Sequence, residues 1–294
     1  MAQRTPSWYD AQYNARAGIA DAAQILQGWA QRSAQARQRL TARRDVPYTD
    51  AGHHDPAQRL DVFLPVHRLP SARPAPVLVH IHGGYWRALD KSDQSFLAEP
   101  FVAAGAVVVM PNYGLCPRVD LFEIVRQTVQ ALAWVWRHAA DWDADRSRIV
   151  VTGHSAGGHL AAMLAACYWP LVGADLPGGL VRRVLPVSGL FDLEPLRHAP
   201  FLAPDIRLDA AGAARLSPAR MPAPRVPGLR VRPFVGGAES AEFHRQNRLL
   251  RRAWGARRVD TPIALDGCHH LGVMDAMLDS GSALHLALRE ELAI

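Results

Sequence analysis

A chain of 294 residues, 49% hydrophobic and 20% charged, has the composition of an ordinary globular protein, which argues against disorder as its overall state. That length is common for a single α/β domain and lets roughly three-quarters of the unfolded surface be buried. The formal charge of +6 is carried by arginine, with Lys91 the only lysine; no nucleic-acid recognition motif accompanies it, so a mild attraction for anionic substrates is the fairer inference.

Residues 7–44 read as helical, with Ile19, Ala22, Ala23, Leu26, Trp29 and Ala30 near the helical period. Arg32, Arg37, Arg39, Arg43 and Arg44 then read as its solvated face. A turn-rich stretch through Asp50-Ala51-Gly52 precedes Arg59–Leu64, which alternates polar and apolar residues as a half-buried strand does. Val77–His82 is a continuous, mostly β-branched run, the mark of a strand covered on both faces. Comparable runs follow at Ala106–Met110, Arg148–Thr152 and Val181–Val187, separated by helical segments that include Leu121–Ala140 and Ala156–Cys167. Val231–Val235 and Arg258–Leu265 flank a helix over Ala241–Trp254, and a final helix is expected over Val273–Leu292.

This alternation predicts an α/β fold: a mostly parallel sheet with helices on both faces, the first strands forming an antiparallel edge. Residues 191–233 are rich in proline and alanine, and read as an insertion packed over the substrate site. The expectation is therefore one domain over 1–294, with an N-terminal helical extension over 1–45 and a cap-like insertion over 191–233.

After the run Arg148–Thr152 comes Gly153-His154-Ser155-Ala156-Gly157, a Gly-x-Ser-x-Gly pattern, and a helix begins near Ala156. Strand before and helix after are the context of a nucleophile elbow, whose glycines permit a strained turn that lifts the serine hydroxyl above the sheet. The helix N-terminus then lies beneath the negative charge that develops during attack. Upstream, His82-Gly83-Gly84-Tyr85-Trp86 ends the strongest strand run. Acyl transfer needs backbone N–H groups aimed at the oxyanion, and Gly83, Gly84 and Ala156 are the expected donors. The two motifs in this order predict the α/β-hydrolase fold, with Ser155 attacking an ester or amide carbonyl.

A serine nucleophile needs a histidine base, and in this fold the order is serine, acid, histidine. Of the histidines after Ser155, only His269 and His270 fall in a loop after the last strand run. His159 reads as a packing or capping residue, and His198, His244 and His285 as structural or exposed. Glu239, in the glycine-rich turn directly after Val231–Val235, is placed to orient the imidazole; Glu242 and Asp266 compete for that role.

His53/His54, His80/His82 and His269/His270 are paired, but no further ligand stands at a recognisable spacing, so neither metal nor other cofactor is expected. The cysteines Cys116, Cys167 and Cys268 are scattered, without a disulfide framework. The N-terminus has no apolar signal region and no apolar run is long enough to span a bilayer, so a soluble cytoplasmic protein is expected. Its partner should be a small-molecule substrate, not nucleic acid or membrane, and a homodimer is compatible with this.

The segments His82–Trp86, Gly153–Leu160, Val187–Leu196 and Gly236–Gln246 resemble the serine-dependent kynurenine formamidases (arylformamidases). The run Tyr13-Asn14-Ala15-Arg16 followed by Trp29 is similar to bacterial members, so the resemblance covers nearly the whole chain. It implies Ser155 as nucleophile, Glu239 as acid and His270, in preference to His269, as base. The implied reaction is hydrolysis of N-formylkynurenine to kynurenine and formate, with Tyr85 and Trp86 stacking on the aryl ring. Two departures stand out: Glu239 where some members carry aspartate, and Leu271 where phenylalanine commonly follows the histidine.

Overall fold

The continuous apolar runs form the centre of a nine-stranded sheet in the computed structural model, which describes residues 4–49, 55–65 and 73–294. In chain order the strands are β1 (Ala42–Pro47), β2 (Arg59–Phe63), β3 (Ala75–Ile81), β4 (Val107–Pro111), β5 (Ala144–His154), β6 (Arg183–Val187), β7 (Arg230–Val231), β8 (Phe234–Gly236) and β9 (Ile263–Leu265). Their order across the sheet is β1-β2-β4-β3-β5-β6-β8-β9, with β7 also paired to β6. The pairs β1–β2 and β2–β4 are antiparallel and the others parallel, so the expected antiparallel edge and parallel body are both present.

The helices are α1 (Pro6–Tyr13), α2 (Ala22–Arg39), α3 (Glu99–Ala103), α4 (Leu121–His138), α5 (Ala156–Ala166), α6 (Ala203–Ile206), α7 (Ala210–Arg215), α8 (Ala241–Trp254), α9 (Val273–Leu278) and α10 (Ala283–Leu292). Alternate residues of the central strands enter different cores. Val77, Val79, Ile81, Val107, Val109 and Val151 pack in one core with residues of α4, α5 and α8. Leu78, Val108, Met110 and Val150 pack in the other with residues of α2, α9 and α10. A period of two with both faces covered is what makes these strands apolar throughout. Among the described residues, no helix is long and apolar enough to cross a membrane.

The structure corrects several expectations. Residues 7–44 are not one helix: turns around Gly18 separate α1 from α2, and from Ala42 the chain pairs with β2. Sheet pairing there overrides local helical preference. Asp61, expected on the wet side of an alternating strand, is fully buried. Its carboxylate binds Arg37, accepts the Asp45 amide at 2.8 Å and lies 3.2 Å from Lys91 Nζ. Arg37 is thus an internal counter-ion; Arg32 and Arg39 pair with Asp275 and Glu99. The run Val231–Val235 splits at Pro233, which has no N–H for a ladder, and Arg258–Leu265 supplies only β9 and a bridge from Val259 to Val231. The last helix is two, broken at residues 279–282, where Ser282 caps α10. The turn at Asp50-Ala51-Gly52 lies outside the described residues.

Candidate active site

Strand register assembles the site. Ile81 stands beside Gly153 across β3–β5, and His154 beside Val187 across β5–β6, so the loops after these strands leave the same edge of the sheet together. Ser155 has φ +58° and ψ −116°, a conformation that an L-residue holds only under constraint. The Ser155 N–H donates to the Val187 carbonyl at 2.8 Å. A Cβ on Gly153 would come within 2.4 Å of Gly157 O, and one on Gly157 within 2.0 Å of Ile81 O, so the turn closes only with glycine at both positions.

Gly83 lies against the serine: a Cβ there would approach Ser155 Cβ at 3.3 Å. Gly84, at φ +100°, accepts the Arg87 and Ala88 amides on its carbonyl. His82 steadies the loop, with Nε2 3.0 Å from Asn112 Oδ1 and its ring stacked on Tyr113 at 4.2 Å. Among the described residues, the N–H groups of Gly83, Gly84 and Ala156 meet no protein acceptor.

Glu239, in the loop after β8, places Oε2 2.7 Å from His270 Nδ1. Its Oε1 accepts from the Ser188 hydroxyl and from the Gly236 amide at 2.7 Å. Burial alone would raise the carboxyl pKa, but the His270 charge and the hydrogen bonds from His270, Ser188 and Gly236 outweigh it and hold the group below the usual carboxylate range. The His270 ring is wedged between His154 and Phe243, each centroid 4.6 Å away, and its carbonyl is 2.8 Å from His154 Nε2. A carboxylate at Nδ1 selects the tautomer protonated there and leaves Nε2 as acceptor. Ser155 and His270 line one cavity of about 20 Å³ with Gly84, Tyr85, Leu89 and Leu271. Larger clefts, of about 500 Å³ beside Arg148 and about 770 Å³ beside Trp134, have neither Ser155 nor His270 in their walls.

The other candidates go elsewhere. His269 borders an adjacent cavity of about 150 Å³ and accepts the Leu271 and Gly272 amides on Nδ1 at 3.2 and 3.0 Å. Asp266 is exposed. Glu242 is an anchor: it accepts the Tyr13 hydroxyl at 2.5 Å and pairs with Arg245 and Arg4, docking α1 on α8. His159 is buried, with Nε2 2.8 Å from Leu216 O, and His80 is buried against Gln94. His285 is bonded to Met277 O, and His198 sits beside Glu194 near the surface. His53 and His54 lie outside the described residues, among which no group of three or more His, Cys, Asp or Glu could hold a metal ion.

Tyr85 and Trp86 separate. Tyr85 forms part of the cavity wall, its hydroxyl donating to Tyr13 O. Trp86 is wholly buried and meets His159 edge-on at 5.1 Å, so its ring is packed by protein and the expected stacking on substrate has no free face. The insertion over 191–233 also differs from expectation. It stands one layer back, bracing the Gly84 loop through Phe201, packed on Tyr85 at 5.3 Å, and through Asp205, bound to Arg87. The cover over Ser155 comes instead from Ala15, Arg16 and Trp29 of the N-terminal extension. Ser188 and His154, which position Glu239 and His270, and Arg16 at the cavity had no chemical signal of their own in the sequence.

Residues 60–169 match the BD-FAE family. The chain is 34% identical over 178 residues to a kynurenine formamidase of Danio rerio, an alignment covering 60% of this chain and 55% of that protein. It is 33% identical over 153 residues to the esterase LipQ of Mycobacterium tuberculosis, covering 51% of this chain and 35% of that one. These alignments span about half of the formamidase and about a third of the esterase. A crystal structure from Silicibacter sp., provisionally described as a thioesterase, superimposes with a TM-score of 0.76 at 33% identity, covering 94% of this chain and 96% of that one. Sheet order, elbow and relatives agree, and the chain belongs to the α/β-hydrolase family, related to the kynurenine formamidases and esterases.

Proposed function

We propose that this enzyme is a serine hydrolase that cleaves an aryl formamide, with N-formylkynurenine as the preferred substrate, releasing kynurenine and formate. The observation that carries this is the buried chain Ser188–Glu239–His270, which ends in the cavity holding Ser155. Ser155 Oγ attacks the formyl carbon while His270 Nε2 takes its proton, and Glu239 stabilises the imidazolium. The amides of Gly83, Gly84 and Ala156 receive the oxyanion. Collapse breaks the C–N bond as His270 protonates the aniline nitrogen, leaving a formyl ester on Ser155. Water, deprotonated by His270, attacks that ester, and formate departs as Ser155 regains its proton.

A cavity of about 20 Å³, with room for a group the size of one water, favours the smallest acyl group. Short-chain carboxylesterase activity on the same three residues is the second reading, favoured by the likeness to LipQ. The enzyme is taken to act in the cytoplasm.

Formyl, acetyl and butyryl aryl substrates, with mass spectrometry of the serine adduct, test this. N-formylkynurenine should turn over with kcat/KM of about 10⁴ M⁻¹s⁻¹ or more. Ser155→Ala should cut turnover by roughly 10⁴-fold or more. Faster hydrolysis of simple acetyl and butyryl esters than of any formamide would overturn the formamidase assignment, and an active Ser155→Ala would overturn the mechanism.

A further inference from the structure

The strap between α1 and α2, residues 14–21, separates the cavity at Ser155 from the adjoining one of about 150 Å³, and residues of this strap line both. Its position is set from the α1 end. Tyr13 is buried with its hydroxyl on Glu242, its carbonyl takes the Tyr85 hydroxyl, and the Gln12 carbonyl takes the Ser240 hydroxyl at 2.6 Å. Beyond Tyr13 the strap turns on itself, through Ala15 N–H to Tyr13 O at 2.8 Å, Ala17 N–H to Asn14 O at 3.0 Å and Ile19 N–H to Arg16 O at 3.1 Å. This places the half-buried Arg16 in the wall of the Ser155 cavity, with Gly84, Tyr85 and His270.

Arg16 has no counter-ion: among the described residues its guanidinium forms neither a salt bridge nor a side-chain hydrogen bond. Other arginines of this region are satisfied. Arg87 is held by Asp205 and the Phe201 carbonyl, and Arg245 by Glu242. Partial burial, and then the charge of Arg87, press the Arg16 pKa below its ordinary value. A cation partly withdrawn from water with no anion beside it gains when a ligand supplies one. The planar fork of a guanidinium matches a carboxylate with two parallel N–H···O bonds.

We propose that Arg16 is a specificity-determining residue that binds a carboxylate on the substrate, so the enzyme acts on acyl compounds that carry a negative charge away from the scissile bond. This rests on the assignment of Ser155 as nucleophile and narrows its substrate class. An α-amino acid side chain bearing an aryl formamide has such a carboxylate, held at one end while the formyl group enters the cavity at the other. Arg16 takes no part in bond making or breaking; it orients the substrate through its anion.

The test compares N-formylkynurenine with its carboxamide, identical but for the charge, on the wild-type enzyme, Arg16→Gln and Arg16→Lys. Wild type should favour the acid by about 30-fold or more in kcat/KM, as loss of a desolvated charge pair requires. Arg16→Gln should erase that preference by lowering turnover of the acid far more than that of the carboxamide, and Arg16→Lys should restore part of it. Equal losses on both substrates in Arg16→Gln, or no preference in wild type, would overturn the proposal. If neither formamide turns over while a fluorophosphonate still labels Ser155, the formamidase assignment is what fails. The Arg16 claim is then decided by inhibition of p-nitrophenyl acetate hydrolysis. Tighter inhibition by 4-phenylbutyrate than by 4-phenylbutyramide, lost in Arg16→Gln, upholds it; equal inhibition in wild type overturns it.

Discussion

Glu239→Gln separates the charge of the proposed acid from its shape. Oε1 already accepts two hydrogen bonds, from the Ser188 hydroxyl and the Gly236 amide, and a glutamine oxygen can keep both. Its NH2 must then occupy the place 2.7 Å from His270 Nδ1, where it donates. That forces the tautomer protonated on Nε2, which cannot take the Ser155 proton, and it removes the charge facing the imidazolium. The corresponding change in the best-studied serine triad costs about 10⁴ in kcat, so a loss of roughly 10³–10⁴-fold, or about 4–5.5 kcal/mol of barrier, is expected with little change in KM. Steady-state hydrolysis of p-nitrophenyl acetate and N-formylkynurenine reads the loss, and thermal melting by circular dichroism checks that the fold is kept. The companion variant Glu242→Gln keeps an acceptor for the Tyr13 hydroxyl but removes the charge that Arg245 and Arg4 face, and should lower the melting temperature while leaving kcat within about fivefold of wild type. The reasoning is refuted if Glu239→Gln keeps more than about a tenth of wild-type kcat, or if Glu242→Gln is the variant that collapses it.

Two further outcomes concern stability. Asp61→Asn should destabilise the fold by about 3–5 kcal/mol in urea unfolding, because it leaves Arg37 without its buried anion and Lys91 with only the half-exposed Asp45, 2.6 Å away; a loss below about 1 kcal/mol would contradict this. Acid should also weaken the fold, since burial pushes His80 and His159 down to about 4 and His154 well below 6.5. Between pH 6.5 and about 4 the unfolded chain binds protons that the folded one refuses, so stability falls with pH by about 1.4 kcal/mol per unit for each such histidine. Urea midpoints at pH 7 and pH 5 measure this, and equal midpoints would exclude neutral buried histidines.

Local chemistry made much of this protein legible from its sequence. The apolar runs of β3, β4 and β5 declare strands covered on both faces, because each alternate residue must find a core. The Gly-x-Ser-x-Gly and His-Gly-Gly segments declare their turns, because only glycine tolerates the 2.0 and 2.4 Å approaches and the φ of +100° found there. Chain order pointed to Glu239, and resemblance to His270. What the sequence did not carry were relations between distant segments. Nothing near Asp61 or Lys91 says that two charges will meet inside the protein, and nothing in the helical pattern of residues 7–44 says that Arg16 will line the cavity at Ser155. Likewise, Trp86 looks like a ligand-stacking ring until His159 is seen against it. Motifs follow from the allowed torsions of a few consecutive residues, and those are written locally. Burial, charge pairing and the walls of a cavity depend on which surfaces meet once the chain has folded, and only the tertiary structure decided those.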